Sequence, residues 1–288
     1  MTDDLAFWHA LTEYAFLQRA LLATIVVGAV SGIVGSFIIL RGLSLMGDAI
    51  SHAVLPGVAI SYMLGINLFF GATATGMLTA LGITYVHQRS RLKSDTAIGV
   101  VFSAAFALGI ILITHAKASA NLNNVLFGNV LAITRADLIL TVTVGLLALV
   151  VVETFYRHLV VTTFDPLVAP TYRSSPRAMH YLLMVLLTAV TVSALQTVGI
   201  VLVVAMLVTP AATAFLLTRR LRPMMLLAAG IGAGSAVIGL FLSYRFNLPS
   251  GPAIVLVLAA LFAAAFGLSR LHARAMTRRS RRLHTAAT

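Results

Sequence analysis

The sequence predicts an all-α, polytopic membrane protein with about eight to ten transmembrane helices, and three observations carry that expectation. First, 60% of the 288 residues are hydrophobic and only 10% are charged, too few charges to cover a soluble domain of this size. Second, apolar runs of about 20 residues, the length that crosses a bilayer as a helix, recur along nearly the whole chain. Third, Lys and Arg concentrate in alternate short loops and in the tail, as the positive-inside rule requires. The formal net charge of +12 therefore reads as topology and contact with anionic lipid rather than as a nucleic-acid surface. No stretch is left for a folded soluble domain. Cysteine is absent, which excludes disulfides and thiolate metal ligands.

The first fifteen residues carry Asp3, Asp4 and Glu13 and no Lys or Arg. They lack the basic start of a cleaved signal peptide, so residues 1–15 are read as a short external segment. Residues 16–271 are read as the transmembrane domain and 272–288 as a basic cytoplasmic tail. The first helix is expected over 16–40, where Gly28, Gly32 and Gly35 make a stripe suited to close helix packing. A second helix begins between Leu43 and Asp48 and runs to about Leu64. A third covers 66–86 and ends in a basic loop containing Arg89, Arg91 and Lys93. A fourth spans 96–114, with Asp95 as its expected N-cap.

The segment 115–135 holds Asn121, Asn123, Asn124 and Gly128. It is too polar to span and reads as an external loop, partly re-entrant or simply polar. The fifth helix follows over 137–155. The loop from about 156 to 178, with Pro166, Pro170 and Pro176, is the longest internal one and the best surface for a cytoplasmic partner. Helices over 179–195 and 198–217 come next, the latter kinked at Pro210. The last two cover 224–244 and 252–271. In this arrangement sixteen Lys and Arg residues fall inside and four outside, which puts the N-terminus outside and the C-terminus in the cytoplasm.

One stretch departs from plain hydrophobicity: Arg41-Gly-Leu-Ser-Leu-Met-Gly-Asp48-Ala-Ile-Ser-His52-Ala-Val-Leu-Pro56-Gly57. Asp48 and His52 are one helical turn apart on a single face. Ionisable groups at such depth are costly unless they face a cavity, a partner or an ion. A carboxylate beside an imidazole is a beginning for a divalent-metal site. Pro56 lacks an N–H, so a helix running through it frees the carbonyl of His52 and bends there. A structural reading stays open from spacing alone: Asp48 as an N-cap and His52 as a buried, hydrogen-bonded ring.

Other chemistries are missing. There is no Gly-x-x-x-x-Gly-Lys-[Ser/Thr] loop for nucleotide hydrolysis and no His-Glu-x-x-His zinc motif. Asp48 is the one acidic residue well inside an expected span, so no pair of intramembrane carboxylates is available for catalysis. Transport remains. No catalytic residue and no resident cofactor are expected.

The Arg41–Gly57 stretch resembles the signature of the permease subunits of bacterial ABC importers for zinc, manganese and iron. Three weaker, mainly apolar stretches are similar in order: Asp95 to Phe102, Leu126 to Thr134 and Val198 to Thr213. The resemblance spans about residues 20 to 270. It implies a multi-pass permease of the bacterial cytoplasmic (inner) membrane. Its implied partners are cytoplasmic ATP-binding subunits, an extracytoplasmic solute-binding protein and a second permease copy, identical or paralogous. It implies that Asp48 and His52 coordinate the transported Mn, Zn or Fe ion, doubled by a two-fold axis. It also assigns Phe164, Asp165 and Pro166, with Tyr172, to the loop that docks on the ATPase. Where the family closes the docking helix with glycine, this chain reads Ala169-Pro170-Thr171-Tyr172, so a shorter or shifted helix is expected. The competing reading is a gradient-driven secondary transporter or channel for the same ions, for which no inverted sequence repeat is evident.

Overall fold

The computed structural model describes residues 12–115, 130–172 and 174–285. Its elements are α1 (Ala15–Leu40), α2 (Met46–Ala53), α3 (Leu55–Leu64), α4 (Leu68–Arg89), α5 (Ser94–His115), α6 (Arg135–Thr154), α7 (Tyr156–Phe164), α8 (Pro176–Val198), α9 (Ile200–Leu217), α10 (Leu221–Phe246) and α11 (Ser250–Thr285), with single 3-10 turns at Val130–Ala132 and Ala169–Tyr172. Among the described residues there is no strand. Among the described residues, eight helices are long and apolar enough to cross a membrane. The short pair α2 and α3 adds an interrupted segment between α1 and α4.

α1, α8 and α9 form the interior, while α5, α6 and α11 leave most of their surface uncovered, as lipid-facing helices do. The glycine stripe of α1 explains how its neighbours approach. A Cβ on Gly28 would stand 2.6 Å from the carbonyl carbon of Gly232 in α10, and one on Gly32 would stand 2.7 Å from that of Ala228. Gly35 lies against the carbonyl oxygen of Leu207 in α9. Small residues thus let the backbones of α1, α9 and α10 touch, the main source of helix affinity when lipid is as apolar as the side chains.

Helix ends follow local chemistry. Thr134 and Asp137 form a capping box at α6: the Asp137 N–H donates to Thr134 Oγ1 at 3.2 Å, and the Thr134 N–H donates to Asp137 Oδ2 at 3.2 Å. α8 opens with Ser175 as N-cap and Pro176 at the first turn. Gly199 separates α8 from α9 with φ +80°, a conformation that a side chain would disfavour.

Three expectations shift. Helix two is split at Val54 rather than bent at Pro56. Pro56 sits in the first turn of α3, where a missing N–H costs nothing. The Val54 carbonyl still accepts from the Val58 N–H at 3.0 Å, and the Thr75 hydroxyl of α4 donates to it at 3.3 Å. Asp95 lies within the first turn of α5, which already begins at Ser94, so it is not the N-cap. The stretch read as loop from 156 is helical to Phe164, because Leu159 and Thr162 share a buried face of α7. Pro210 lies inside α9 and is buried. The expected polar loop around Asn121, Asn123, Asn124 and Gly128 falls outside the described residues, as does most of the expected external segment 1–15.

Candidate metal path and docking loop

α1 ends at Arg41, and Gly42 (φ +67°) turns the chain sharply. The Leu43 N–H donates to the Ile38 carbonyl at 3.0 Å and the Met46 N–H to Leu43 at 2.9 Å, so α2 starts at a fixed offset from α1. The N-cap of α2 is Leu45, which makes no side-chain cap bond. Asp48 is therefore not an N-cap. It occupies the first turn of α2, where the positive end of the helix dipole favours a carboxylate.

Asp48 Oδ1 and His52 Nε2 are 3.5 Å apart. Both side chains lie on the one face of α2 that the chain leaves open: 47% of Asp48 and 31% of His52 is exposed. The rest of α2 is sealed. Met46, Gly47, Ala49, Ile50, Ser51 and Ala53 are buried, and Gly47 touches the side chain of Leu207 in α9. The alternative of a buried, satisfied histidine fails on two counts. The side chain is 31% exposed, and its Nδ1 is buried with no hydrogen-bond partner among the described residues.

α5 supplies the wall beside the imidazole. The His52 ring centroid is 5.9 Å from that of Phe102 and 5.7 Å from that of Phe106, the latter edge-on at 86°. Phe102 and Phe106 stack on each other at 5.8 Å. Gly109, one turn further along α5, receives Leu55 and Pro56: an added Cβ would stand 2.7 Å from Leu55 Cβ and 3.0 Å from Pro56 Cδ. One helix thus packs both the break and the histidine. Sequence reading missed this contribution, although the four-residue spacing of Phe102 and Phe106 is the signal of a shared helix face.

Among the described residues no group of three or more His, Asp or Glu side chains comes together. What one chain brings together is a carboxylate and an imidazole, two side chains of the kinds that divalent cations accept as ligands.

The second predicted region lies at the end of α7. Phe164 is 60% exposed, Leu167 90% and Tyr172 63%, while Ala169 beneath them is buried. A short 3-10 turn covers Ala169–Tyr172. Asp165 is a turn-former here: its Oδ1 accepts from the Val168 N–H at 3.2 Å, and its carbonyl accepts from the Ala169 N–H at 3.2 Å. Leu167, which the sequence reading passed over, is the most exposed member of this apolar patch.

A profile of the ABC 3 transport family matches residues 13–269. The chain is 60% identical over 260 residues to the manganese transport system membrane protein MntC of Listeria innocua serovar 6a, covering 90% of this chain and 93% of that protein. It is 53% identical over 260 residues to the manganese import system permease protein ScaB of Streptococcus gordonii, covering 90% and 94%. A solved structure described as PsaBC from Streptococcus pneumoniae in complex with Fab is also similar. There the match has a TM-score of 0.82 at 51% identity, over 91% of this chain and 95% of that one.

Proposed function

The chain belongs to the ABC 3 transport family, and from that premise we propose that it is the permease subunit of an ATP-driven importer of divalent transition-metal ions, manganese foremost. The single observation that carries the reading is the half-open face of α2, where Asp48 and His52 lie 3.5 Å apart with no third His, Asp or Glu beside them among the described residues. A second copy placed across a two-fold axis supplies the other half, since an isologous interface repeats the same patch on both sides. Two carboxylates and two imidazoles then form a four-ligand N/O site, which suits manganese, zinc or iron. The two relatives named for manganese, at 60% and 53% identity, favour that ion.

Within this mechanism each residue has a physical task. Asp48 offsets the charge of the ion in a region of low dielectric. His52 contributes neutral nitrogen, and the Phe102 and Phe106 rings keep water from that side of it. Val54 and Pro56 break the backbone where it borders the path, as is tolerated next to a cavity. The ion arrives from an extracytoplasmic solute-binding protein. On the opposite side, Phe164, Leu167 and Tyr172 offer an apolar surface to the ATP-binding subunit, whose nucleotide cycle switches the gate. Residues 16–271 constitute the permease domain in this reading. The N-terminal segment faces outward, and the basic tail 272–288 lies against the cytoplasmic leaflet, in keeping with the charge bias.

The test is the metal content and uptake of the assembled complex. Manganese should be retained by the intact assembly and imported with ATP hydrolysis, and zinc or iron should compete more weakly. Retention and uptake indifferent to Asp48→Asn would remove the site from the path.

A further inference from the structure

Arg41 is the C-cap that follows α1 and the first residue of the stretch that leads to Asp48. Its guanidinium leaves that stretch and crosses to α7, where Nε donates to Thr163 Oγ1 at 3.0 Å and Nη2 donates to Thr162 Oγ1 at 2.9 Å. Both acceptors are pre-set. The Thr162 hydroxyl donates to the His158 carbonyl at 2.8 Å and the Thr163 hydroxyl to the Leu159 carbonyl at 2.6 Å, so each turns its lone pairs toward the arginine. Two adjacent hydroxyls meeting two prongs of a planar fork fix direction as well as distance.

The contact is unusual in what it omits. Arg41 is half-buried, and that burial holds its guanidinium below its ordinary pKa. Yet among the described residues no carboxylate lies within ion-pair distance of it. A desolvated cation without a counter-ion is a poor way to gain stability. Two directional hydrogen bonds from one planar group do, however, hold α1 and α7 in register.

Its position gives the link a use. Thr163 directly precedes Phe164, the first residue of the exposed apolar patch. On the other side, Arg41 is joined to α2 through the tight Gly42 turn and the Leu43 and Met46 bonds. The far end of α7 is held as well: the Arg222 guanidinium at the start of α10 lies over the Tyr156 ring at 4.8 Å, and α10 meets α1 at Gly232 and Gly28. These contacts link α1, α7 and α10 into one block, with the docking patch at one edge and the Asp48 turn at another.

We infer that Arg41, Thr162 and Thr163 form the strut that carries movement of the ATPase-docking patch to the Asp48 and His52 pair. Arg41 is a positioning residue in this scheme and touches no ion. The inference rests on the proposed role of the chain as an ATP-driven permease.

The experiment uses the full complex in proteoliposomes with its ATP-binding subunits and binding protein, and manganese as the probe. Thr162→Val with Thr163→Val keeps volume and removes both acceptors. Ions delivered per ATP hydrolysed should fall by roughly tenfold, within the usual range of coupling between sites, while manganese retained by the resting complex stays the same. Thr162→Ser with Thr163→Ser restores the acceptors and should restore the ratio. Because the chain has no cysteine, spin labels at L45C report the spacing of the two α2 starts directly. ATP should shift that spacing in the unaltered strut and not in the double valine variant. An equal shift in both, or an unchanged ion-to-ATP ratio, overturns the strut. A spacing that responds to ATP only with the strut intact, in a complex that moves no manganese, supports the strut and overturns the cargo assignment instead.

Discussion

His52 meets Phe106 edge to face, with ring centroids 5.7 Å apart and planes at 86°. The contact holds the imidazole, whose Nδ1 is buried with no hydrogen-bond partner among the described residues, in one orientation toward Asp48. Aromatic pairs of this geometry contribute about 0.5–1.5 kcal/mol beyond simple burial. Phe106→Leu keeps the apolar wall but removes the ring, so manganese retention by the assembled complex should weaken by roughly 2- to 10-fold. Assembly should persist, since α5 contributes little buried surface. Metal titration of the purified complex checks this, and an unchanged affinity would mean that the ring does not orient the histidine.

Asp48→Asn removes a charge with almost no change in shape. The carboxylate lies in the first turn of α2 and makes no cap bond there, so the helix should form without it. Loss of mere outer-shell partners lowers metal affinity by roughly 10- to 100-fold, and loss of a ligand charge should cost at least as much. Uptake of manganese should drop by that factor or more, while co-purification with the ATP-binding subunit stays at the level of the unaltered chain. Radiotracer uptake alongside pull-down separates the two readouts.

How much of this was legible beforehand depended on sequence distance. Asp48 and His52 share a helix face by spacing alone, and the glycines of α1 advertised close packing before their partners Gly232 and Ala228 were known. Pro56 located the break to within two residues of Val54. Contacts between distant segments carry no such local trace. Arg41 and Thr162 are 121 positions apart, and nothing in either segment names the other. The helix α7 was hidden for another reason. Val160, Val161, Thr162 and Thr163 are β-branched and weigh against a helix by propensity, but burial of Leu159 and Thr162 against neighbouring helices overrides that preference.

The patch at the end of α7 separates an anchor from a scaffold residue. Leu167 is 90% exposed, so nothing inside this chain accounts for its side chain, whereas Asp165 holds the turn through the Val168 N–H. Leu167→Asp should therefore cut co-purification with the ATP-binding subunit by roughly tenfold or more, as loss of a buried interface anchor does. Asp165→Asn retains the Oδ1 acceptor and should retain coupling. Asp165→Ala should lose it, because the turn that presents Phe164 and Tyr172 loosens. If Asn and Ala behave alike in ATPase stimulation by loaded binding protein, the aspartate acts through its charge and not through the turn.

Three glycines of α10 provide an internal control for the packing of the whole bundle. Gly232 is pressed against the backbone of Gly28, where a Cβ would stand 2.7 Å from the Gly28 carbonyl carbon and closer still to its oxygen. Gly230 and Gly234, two residues to either side, have nothing within 4 Å of an added Cβ. Alanine is the better helix former by about 0.5–1 kcal/mol, so Gly230→Ala and Gly234→Ala should leave the unfolding temperature in detergent level or slightly raised. Gly232→Ala must force α1 and α10 apart, and overpacking of this kind costs about 1–3 kcal/mol. Its unfolding temperature should fall although the chemical change is identical. Equal behaviour of the three variants would show that α1 and α10 are not in backbone contact. The block that joins Arg41 to Arg222 would then have lost its physical basis.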